Sequence, residues 1–403
     1  MNRRVALIGS LPAGAVRFTG WRSVLAVAGA VTVAIGSTVV GVGAAQAPAS
    51  GPPGEEFANP VLAPGADPSM AYYQGRFHLV QGDFYNDDNI VIRSSDTLGG
   101  LGKSEPKVVW EHPACPAPAC TKIWAPELVH IGDRWWIYFA GQSDDSNESH
   151  RMYALRSTGD DPTGPYDYLG PLNLPGGWAI DGTYQQFENV GYYFWSCLHD
   201  PEDTRVQDIC VVRMSDPMTP VGDRVSIATP TADWETVPND ADLKINEAPQ
   251  PLIAPDGRLF ATFSANASFD DTYRIGLLEL ARGGNPLDPK AWTKSGGPML
   301  PGGPGAIAPG HNGFLTIDGH PWITYHARLE PGTGWEGRSI RVQPMYFGPD
   351  GRPRFGMAFG PDSPIVIEAP TPATSAAPVT PAAPATPAAP VTSAARPAPG
   401  KPG

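Results

Sequence analysis

Three carboxylates stand before apolar, strand-like segments that lie far apart in the chain. Asp67 occurs in GADPS, Asp181 in AIDGT and Glu247 in INEAP. One protonated and one ionised carboxyl group on opposite sides of a glycosidic bond provide the acid and the base for its hydrolysis, and a third carboxylate can tune the acid. This chemistry requires a fold that brings the three residues together.

A recurring pattern indicates such a fold. Five segments each contain an apolar strand, a short polar turn with glycine and an aromatic-rich second strand, which is the pattern of a β-hairpin. The turn glycines are Gly75, Gly132, Gly191, Gly257 and Gly319. A strand-built repeat of about 60 residues predicts an all-β protein, and five such units predict a five-bladed β-propeller.

An ionisable residue precedes each turn glycine by five to ten positions. These residues are Asp67, Glu127, Asp181, Glu247 and His311. If the first strand of every blade lies next to the axis, all five side chains converge at one end of the central channel. The alternative for any single residue is a cap or a turn former, and Glu127 is also explained as a buried carboxylate bonded to the backbone.

The two ends of the chain differ from the repeats. Residues 1–47 contain early arginines and an apolar run that closes on Ala45-Gln46-Ala47, as a secretion signal does, although residues 24–44 are also long enough for a membrane anchor. We expect a linker over 48–56, the propeller over 57–368 and a disordered Pro/Ala/Thr-rich tail over 369–403.

The net charge and the cysteine content limit the kinds of binding partner and the cellular compartment that we expect. The net charge is −13 and no basic cluster occurs, so nucleic acid is not expected as a partner. Four cysteines in an exported chain indicate disulfides, and four allow three connectivities. Local pairing, Cys115 with Cys120 and Cys197 with Cys210, is the simplest of them. We expect a monomer.

The five segments, taken in order, resemble the blade motifs of family 43 glycoside hydrolases. The resemblance covers residues 57 to about 360, and its most specific parts are IWAPEL and INEAPQ. It implies a five-bladed propeller that hydrolyses α-L-arabinofuranosides or β-D-xylosides with inversion, without an organic cofactor. The Cys pairs are not part of the family pattern.

The resemblance also implies roles for individual residues. Asp67 is similar to the general base, Glu247 to the general acid, and Asp181 to the carboxylate that tunes and orients the acid. Arg338 resembles an arginine that reaches the sugar, with Arg341 as the alternative, and Trp124 resembles a pocket wall. His311 resembles a histidine near which a calcium ion is held through water; a histidine without metal is the alternative.

Aromatic side chains near the motifs are candidates for stacking on sugar faces. Phe84 and Trp195 are predicted to bind substrate in addition to Trp124, and packing in the core is the alternative for each. Asp67 belongs to the first repeat and Glu247 to the fourth, so one blade separates them by the shorter route. We therefore expect the two carboxyl groups across the channel, with room for a water molecule, which gives inversion.

The sequence thus predicts a secreted exo-α-L-arabinofuranosidase that acts on plant arabinan or arabinoxylan. A β-xylosidase and an endo-arabinanase are the alternatives within the same family. A propeller that binds carbohydrate without cleaving it is the alternative from another class, and it would not need the carboxylates.

Overall fold

The computed structural model describes residues 54–82, 89–144, 146–238 and 240–367. The predicted secretion signal, most of the linker, the Pro/Ala-rich tail and Phe84 lie outside these residues. Within them no helix is long and apolar enough to cross a membrane. Helix in the described part of the chain is restricted to four 3₁₀ segments, namely Leu98–Lys103, Asn147–Ser149, Asp233–Glu235 and Pro289–Ala291.

The strands form five successive antiparallel blades after an initial short strand, β1 (Glu56–Ala58), and a short parallel pairing joins the sheets of blades 3 and 4. Blade 1 consists of β2 Ser69–Tyr73, β3 Arg76–Gly82, β4 Asn89–Ser95 and β5 Lys107–Glu111. Blade 2 consists of β6 Thr121–Ile131, β7 Arg134–Gln142, β8 Arg151–Ser157 and β9 Tyr166–Pro171. Blade 3 consists of β10 Ile180–Phe187, β11 Val190–Asp200, β12 Asp203–Asp216 and β13 Thr219–Ala228. Blade 4 consists of β14 Lys244–Ile253, β15 Leu259–Ala265, β16 Arg274–Leu280 and β17 Trp292–Lys294.

Blade 5 has three strands in sequence, and short strands follow it. They are β18 Ile307–Ile317, β19 His320–Arg328 and β20 Arg338–Pro344, then β21 Tyr346–Phe347, β22 Pro353–Arg354 and β23 Pro364–Val366. The first strand of each blade contacts the first strand of both adjacent blades, so β2, β6, β10, β14 and β18 form a closed ring around an axis. This arrangement confirms the predicted five-bladed β-propeller.

The ring closes through residues that precede blade 1. The segment before β2 runs beside β20, where Ile340 donates its N–H to the carbonyl of Leu62 at 2.8 Å and accepts from the N–H of Val61 at 2.9 Å. The buried Asn59 side chain bonds both the N–H and the carbonyl of Val342, each at 2.9 Å. Strand β1 pairs with β23. Residues from the two ends of the domain therefore complete one blade.

Apolar side chains form a layer between each pair of neighbouring blades. Tyr138 and Trp195 lie between blades 2 and 3, for example, and Phe77 and Trp322 lie between blades 5 and 1. The remaining interfaces have layers of the same kind. Because the blades stack face to face, each strand buries side chains on both of its faces. Full burial of one large apolar side chain stabilises the folded state by about 1.5–3 kcal/mol.

Four of the five predicted turn glycines lie in their turns with positive φ: Gly75, Gly132, Gly257 and Gly319. The prediction for Gly191 is wrong. The turn of blade 3 is formed by Glu188 and Asn189, both with positive φ, and Gly191 lies inside β11. A Cβ on Gly191 would come within 2.5 Å of the Tyr184 hydroxyl, so this glycine is needed for close packing rather than for the turn.

Both disulfides connect nearby residues, Cys115 with Cys120 and Cys197 with Cys210. The local pairing expected from the sequence is thereby confirmed. The second bond joins the neighbouring strands β11 and β12 inside blade 3, whereas the first closes the loop that leads into β6.

Candidate active site

The innermost strands share a local distortion at the end of the ring where the predicted site lies. Backbone register breaks in β6, β10, β14 and β18, as in a β-bulge. A non-glycine residue with φ between +43° and +54° stands at or beside each predicted polar residue: Asp67, Ala125, Asp181, Ala248 and His311. Non-glycine residues adopt this conformation at an energetic cost, and such strain is common at functional sites. These positions bring Asp67, Asp181, Glu247 and His311 close together at one end of the axis.

Asp67 is surrounded by side-chain nitrogen atoms. Its Oδ1 lies 3.2 Å from Nη1 of Arg338, 3.2 Å from Nδ1 of His311 and 3.1 Å from Nδ1 of His326. These three residues come from the first, second and third strands of blade 5. The carboxylate of blade 1 is therefore fixed by the adjacent blade.

The electrostatic surroundings keep Asp67 ionised. Burial alone would raise the pKa of its carboxyl group, but the interactions with His311, then with Arg338 and His326, hold that pKa well below its usual range. Burial also lowers the pKa of both histidines, that of His326 to about 4, so they are neutral near pH 7. Arg338 is then the permanent cation beside Asp67.

Glu247 and Asp181 form the opposite electrostatic environment. Burial raises the pKa of Glu247 to about 7, and the negative charge of Asp67 adds to this effect. Burial raises the pKa of Asp181 well above its usual range, and the charge of Glu247 raises it further. Asp181 accepts a hydrogen bond from the N–H of Ala248 at 3.2 Å. The two carboxyl groups therefore act as one coupled unit that retains a proton near neutral pH.

Glu127 lies deeper along the axis than this pair. Gln250 of blade 4 donates a hydrogen bond to Oε1 of Glu127 at 2.6 Å, and burial raises the pKa of Glu127 to about 8. Both residues line an axial cavity of about 280 Å³ that all five innermost strands enclose. The lining of this cavity does not include Asp67, Asp181 or Glu247. Glu127 is therefore a buried carboxylate with a structural bond, but its partner is the Gln250 side chain and not the backbone expected from the sequence.

The two candidate arginines have different positions. Arg338 contacts Asp67, whereas Arg341 is fully buried and donates to the carbonyl of Phe359 at 3.0 Å. Arg338 is therefore the arginine of the pocket.

Direct metal binding at His311 is not supported by its surroundings. Within the described residues no group of three or more His, Cys, Asp or Glu side chains could hold a metal ion. Nδ1 of His311 contacts Asp67, and the guanidinium group of Arg338 contacts the same carboxylate. One neutral imidazole beside a fixed cation is a poor donor set for calcium, which takes six to eight oxygen ligands.

The predicted aromatic contacts divide into two groups. Trp124 is 36% exposed at the pocket end of β6, and its ring packs on the buried His150, with 4.1 Å between ring centroids. His150 is itself held by the Gln142 side chain at 3.1 Å. Trp195 is 0% exposed in the layer between blades 2 and 3, so its prediction as a sugar contact is corrected to a core residue.

Two residues of the pocket were missed from the sequence. The Tyr273 hydroxyl donates to Oε1 of Glu247 at 2.7 Å, and the Tyr273 ring stacks on His326 with a centroid distance of 5.4 Å. This contact joins the surroundings of Glu247 to those of Asp67. His326 had a visible signal, a polar residue at the end of an aromatic-rich strand, but Tyr273 lies immediately before the third strand of blade 4, β16, outside the repeated hairpin.

A five-bladed propeller with one ionised and two proton-retaining carboxyl groups at one end of its axis is the architecture of a glycosidase. Comparison with known sequences agrees, since residues 57–353 match the model of the glycosyl hydrolases family 43. The chain belongs to this family.

Curated relatives include enzymes from two Streptomyces species. The chain is 32% identical over 324 residues to an extracellular exo-α-(1→5)-L-arabinofuranosidase of Streptomyces avermitilis, over 78% of this chain and 65% of that enzyme. It is 33% identical over 282 residues to an enzyme of the same description from Streptomyces chartreusis, over 68% of this chain and 82% of that one. The crystal structure of an α-L-arabinofuranosidase from Lactobacillus brevis has a TM-score of 0.70 and 29% identity, and covers 76% of this chain and 98% of that one.

Proposed function

We propose that this protein is an inverting exo-α-L-arabinofuranosidase that releases L-arabinofuranose from plant arabinan or arabinoxylan. The observation that carries the proposal is the electrostatic contrast between Asp67, which is held ionised, and Glu247, which retains a proton. The similarity to two enzymes described as extracellular exo-α-(1→5)-L-arabinofuranosidases supports the substrate and a secreted location.

The reaction follows from this contrast. Glu247 donates its proton to the glycosidic oxygen as the bond to the anomeric carbon breaks. Asp67 removes a proton from the water that attacks the opposite face of the sugar, and its ionised state is maintained by Arg338. Asp181 and Glu247 repel each other when both are ionised, so the pair keeps a proton that Glu247 can donate. Trp124 forms one wall of the pocket.

Inversion is the expected stereochemical outcome because Asp67 and Glu247 belong to blades 1 and 4, with blade 5 between them. A water molecule fits between carboxyl groups about 6.5–9.5 Å apart, whereas direct attack requires about 5–5.5 Å. Proton NMR during early hydrolysis of an α-arabinofuranoside should show the β-anomer first. First release of the α-anomer would exclude Asp67 as a base acting through water.

No step of this mechanism is assigned to calcium. The donor set around His311 does not fit direct binding, and the proton transfers use only the carboxyl groups. Activity measured after treatment with EDTA and gel filtration should therefore equal the activity before treatment. A loss that calcium restores would place an ion in the reaction or in the fold.

Replacing Glu247 with Gln tests the proposed acid. The amide has a similar shape but cannot donate a proton of the required acidity, so kcat should fall on the order of 10²–10⁴-fold with little change in ligand affinity. The measurement uses nitrophenyl α-L-arabinofuranoside, nitrophenyl β-D-xyloside and linear arabinan side by side. Preference for the xyloside or for internal cleavage of arabinan would favour the two alternatives within the family.

If the wild-type protein released sugar from none of the three substrates but bound them, it would be a carbohydrate-binding propeller. Unchanged turnover by the Glu247→Gln variant would remove Glu247 from the acid role while leaving the hydrolase assignment intact.

A further inference from the structure

An exposed aromatic pair lies at the same end of the propeller as the carboxylates. Phe269 follows β15 and is 42% exposed, and Trp335 precedes β20 and is 55% exposed. Their rings meet edge to face with 5.3 Å between centroids. Large exposed aromatic groups that touch each other beside a pocket are characteristic of ligand-binding surfaces.

The loops that carry this pair are fixed by a buried cation. The guanidinium group of Arg328, at the end of β19, donates to the carbonyls of Ser268 and Asp270 and pairs with the carboxylate of Asp271 at 3.1 Å. The indole N–H of Trp335 donates to Oγ of Ser268 at 3.0 Å. The aromatic pair is therefore held in place before any ligand binds, which reduces the entropic cost of binding.

The pair is connected to the predicted base. The carbonyl of Trp335 accepts hydrogen bonds from Nε of Arg338 at 3.0 Å and from its backbone N–H at 3.3 Å. The same guanidinium group contacts Asp67 through Nη1. One side chain therefore joins the exposed aromatic surface to the reacting end of the pocket.

We propose that Phe269 and Trp335 form a platform for a sugar residue of the chain beyond the scissile bond, on the leaving-group side. An exo-acting pocket holds a single terminal sugar, so the rest of a linear substrate leaves the pocket across its rim. The C–H face of a neutral sugar packs on an aromatic ring without desolvating a charge. The inference rests on the proposed arabinofuranosidase activity and adds a second point of contact with the substrate.

The test compares a substrate that reaches the platform with one that does not. Linear α-1,5-arabinotriose extends beyond the pocket, whereas methyl α-L-arabinofuranoside has a leaving group too small to reach it. Phe269→Ala and Trp335→Ala should each raise KM for the trisaccharide about 3- to 10-fold, the range expected for one aromatic contact. Both should leave kcat/KM for the methyl glycoside within about twofold of the wild type.

Three further measurements separate a platform from a structural role. Trp335→Phe keeps a ring and should retain most of the affinity for the trisaccharide. Tyr346→Ala removes an aromatic residue that is 58% exposed beyond the far end of β20, and should change neither substrate. Calorimetric titration of arabinotriose into the Glu247→Gln variant should show the same loss of affinity when Phe269 or Trp335 is removed.

Each contrary result has a distinct meaning. Equal losses on both substrates, or no loss on either, would overturn the platform while leaving the hydrolase intact. If the wild type elutes as a dimer in gel filtration and the Trp335→Ala variant elutes as a monomer, the aromatic pair binds a second copy of this chain rather than a sugar. Failure of the wild type to cleave either substrate would instead refute the proposed function.

Discussion

At the scale of single residues, the site is defined by how proton affinity is distributed among similar carboxyl groups. Asp67 has a positive and hydrogen-bonding environment, whereas Asp181, Glu247 and Glu127 are buried without a basic side chain bonded to them. The sequence indicated which carboxylates would converge, because they recur at similar positions in the repeats. It could not indicate their protonation, because that depends on which side chains of blades 4 and 5, namely Arg338, His326 and Tyr273, contact each carboxyl group in the folded protein.

The pH profile should change when Asp181 is replaced with Asn. The raised pKa of Glu247, about 7, sets the alkaline limb, because the acid must be protonated and activity falls as pH rises through that value. Mutual repulsion between Asp181 and Glu247 makes the pair hold its last proton more tightly than Glu247 alone would. Asp181→Asn removes this repulsion, so the alkaline limb of kcat/KM should move to lower pH. An unchanged alkaline limb would show that Asp181 does not tune the acid.

Glu127 should make the stability of the protein depend on pH. Its pKa is raised from 4.5 to about 8 in the folded state, so the folded protein binds this proton more tightly than the unfolded chain. The associated stability is fully present below about pH 4.5 and is lost as pH rises toward 8. The Tm of the wild type should therefore fall relative to that of Glu127→Gln over this interval, while histidine effects common to both proteins cancel. A constant difference in Tm would contradict the assignment.

At the scale of elements, the pocket depends on how closely strands of neighbouring blades approach. A Cβ on Gly310 of β18 would lie 2.0 Å from a ring carbon of Tyr273 in the β15–β16 region of blade 4. The repeated hairpins were predictable from alternating apolar residues and turn glycines. The bulges that orient the side chains, and the packing of Tyr273 against β18, could not be predicted. Both depend on contacts between blades.

Gly310→Ala should displace Tyr273 and weaken its hydrogen bond to Glu247. We expect kcat to fall on the order of 10-fold, because a hydrogen bond to a carboxylate contributes about 1.5–3 kcal/mol. The bond stabilises the ionised acid, so its loss should also move the alkaline limb to higher pH, opposite to the effect of Asp181→Asn.

Two variants serve as controls for this prediction. Tyr273→Phe should reproduce the shift in the pH profile without overpacking. Gly296→Ala, at a position where a Cβ meets nothing within 4 Å, should behave as the wild type. A Gly310→Ala protein that loses stability but keeps its pH profile would mean that Tyr273 does not influence the acid.

At the scale of the whole molecule, stability depends on five similar interfaces and one closing contact. The interfaces repeat the same stacking of apolar side chains, and their number was predictable from the count of hairpins. The closing contact was not predictable, because residues 54–65 have no repeat pattern. Asn59 is 283 residues from its partner Val342 on β20, and Glu56 is 310 residues from its partner Val366 on β23.

Asn59→Ala should weaken this closure without affecting catalysis. The substitution removes two hydrogen bonds to Val342 and leaves buried backbone groups without their partners, at about 1–3 kcal/mol for each group. A decrease in Tm of several degrees is expected, with kcat at 25 °C unchanged because the site lies at the axis. A simultaneous loss of kcat in the folded variant would show that closure of blade 5 controls the position of Arg338.

The closing segment also makes the position at which the domain begins and ends nearly arbitrary. The N–H of Gly54 bonds the carbonyl of Ile367 at 3.1 Å, and the N–H of Ile367 bonds the carbonyl of Glu55 at 2.9 Å, so the domain's entry and exit are side by side. A short linker could join these positions, and new ends could be opened at an exposed turn such as that near Gly159. A circular permutant of this kind would keep every blade and every interface. The ring, rather than the point at which the chain enters it, is what the sequence encodes.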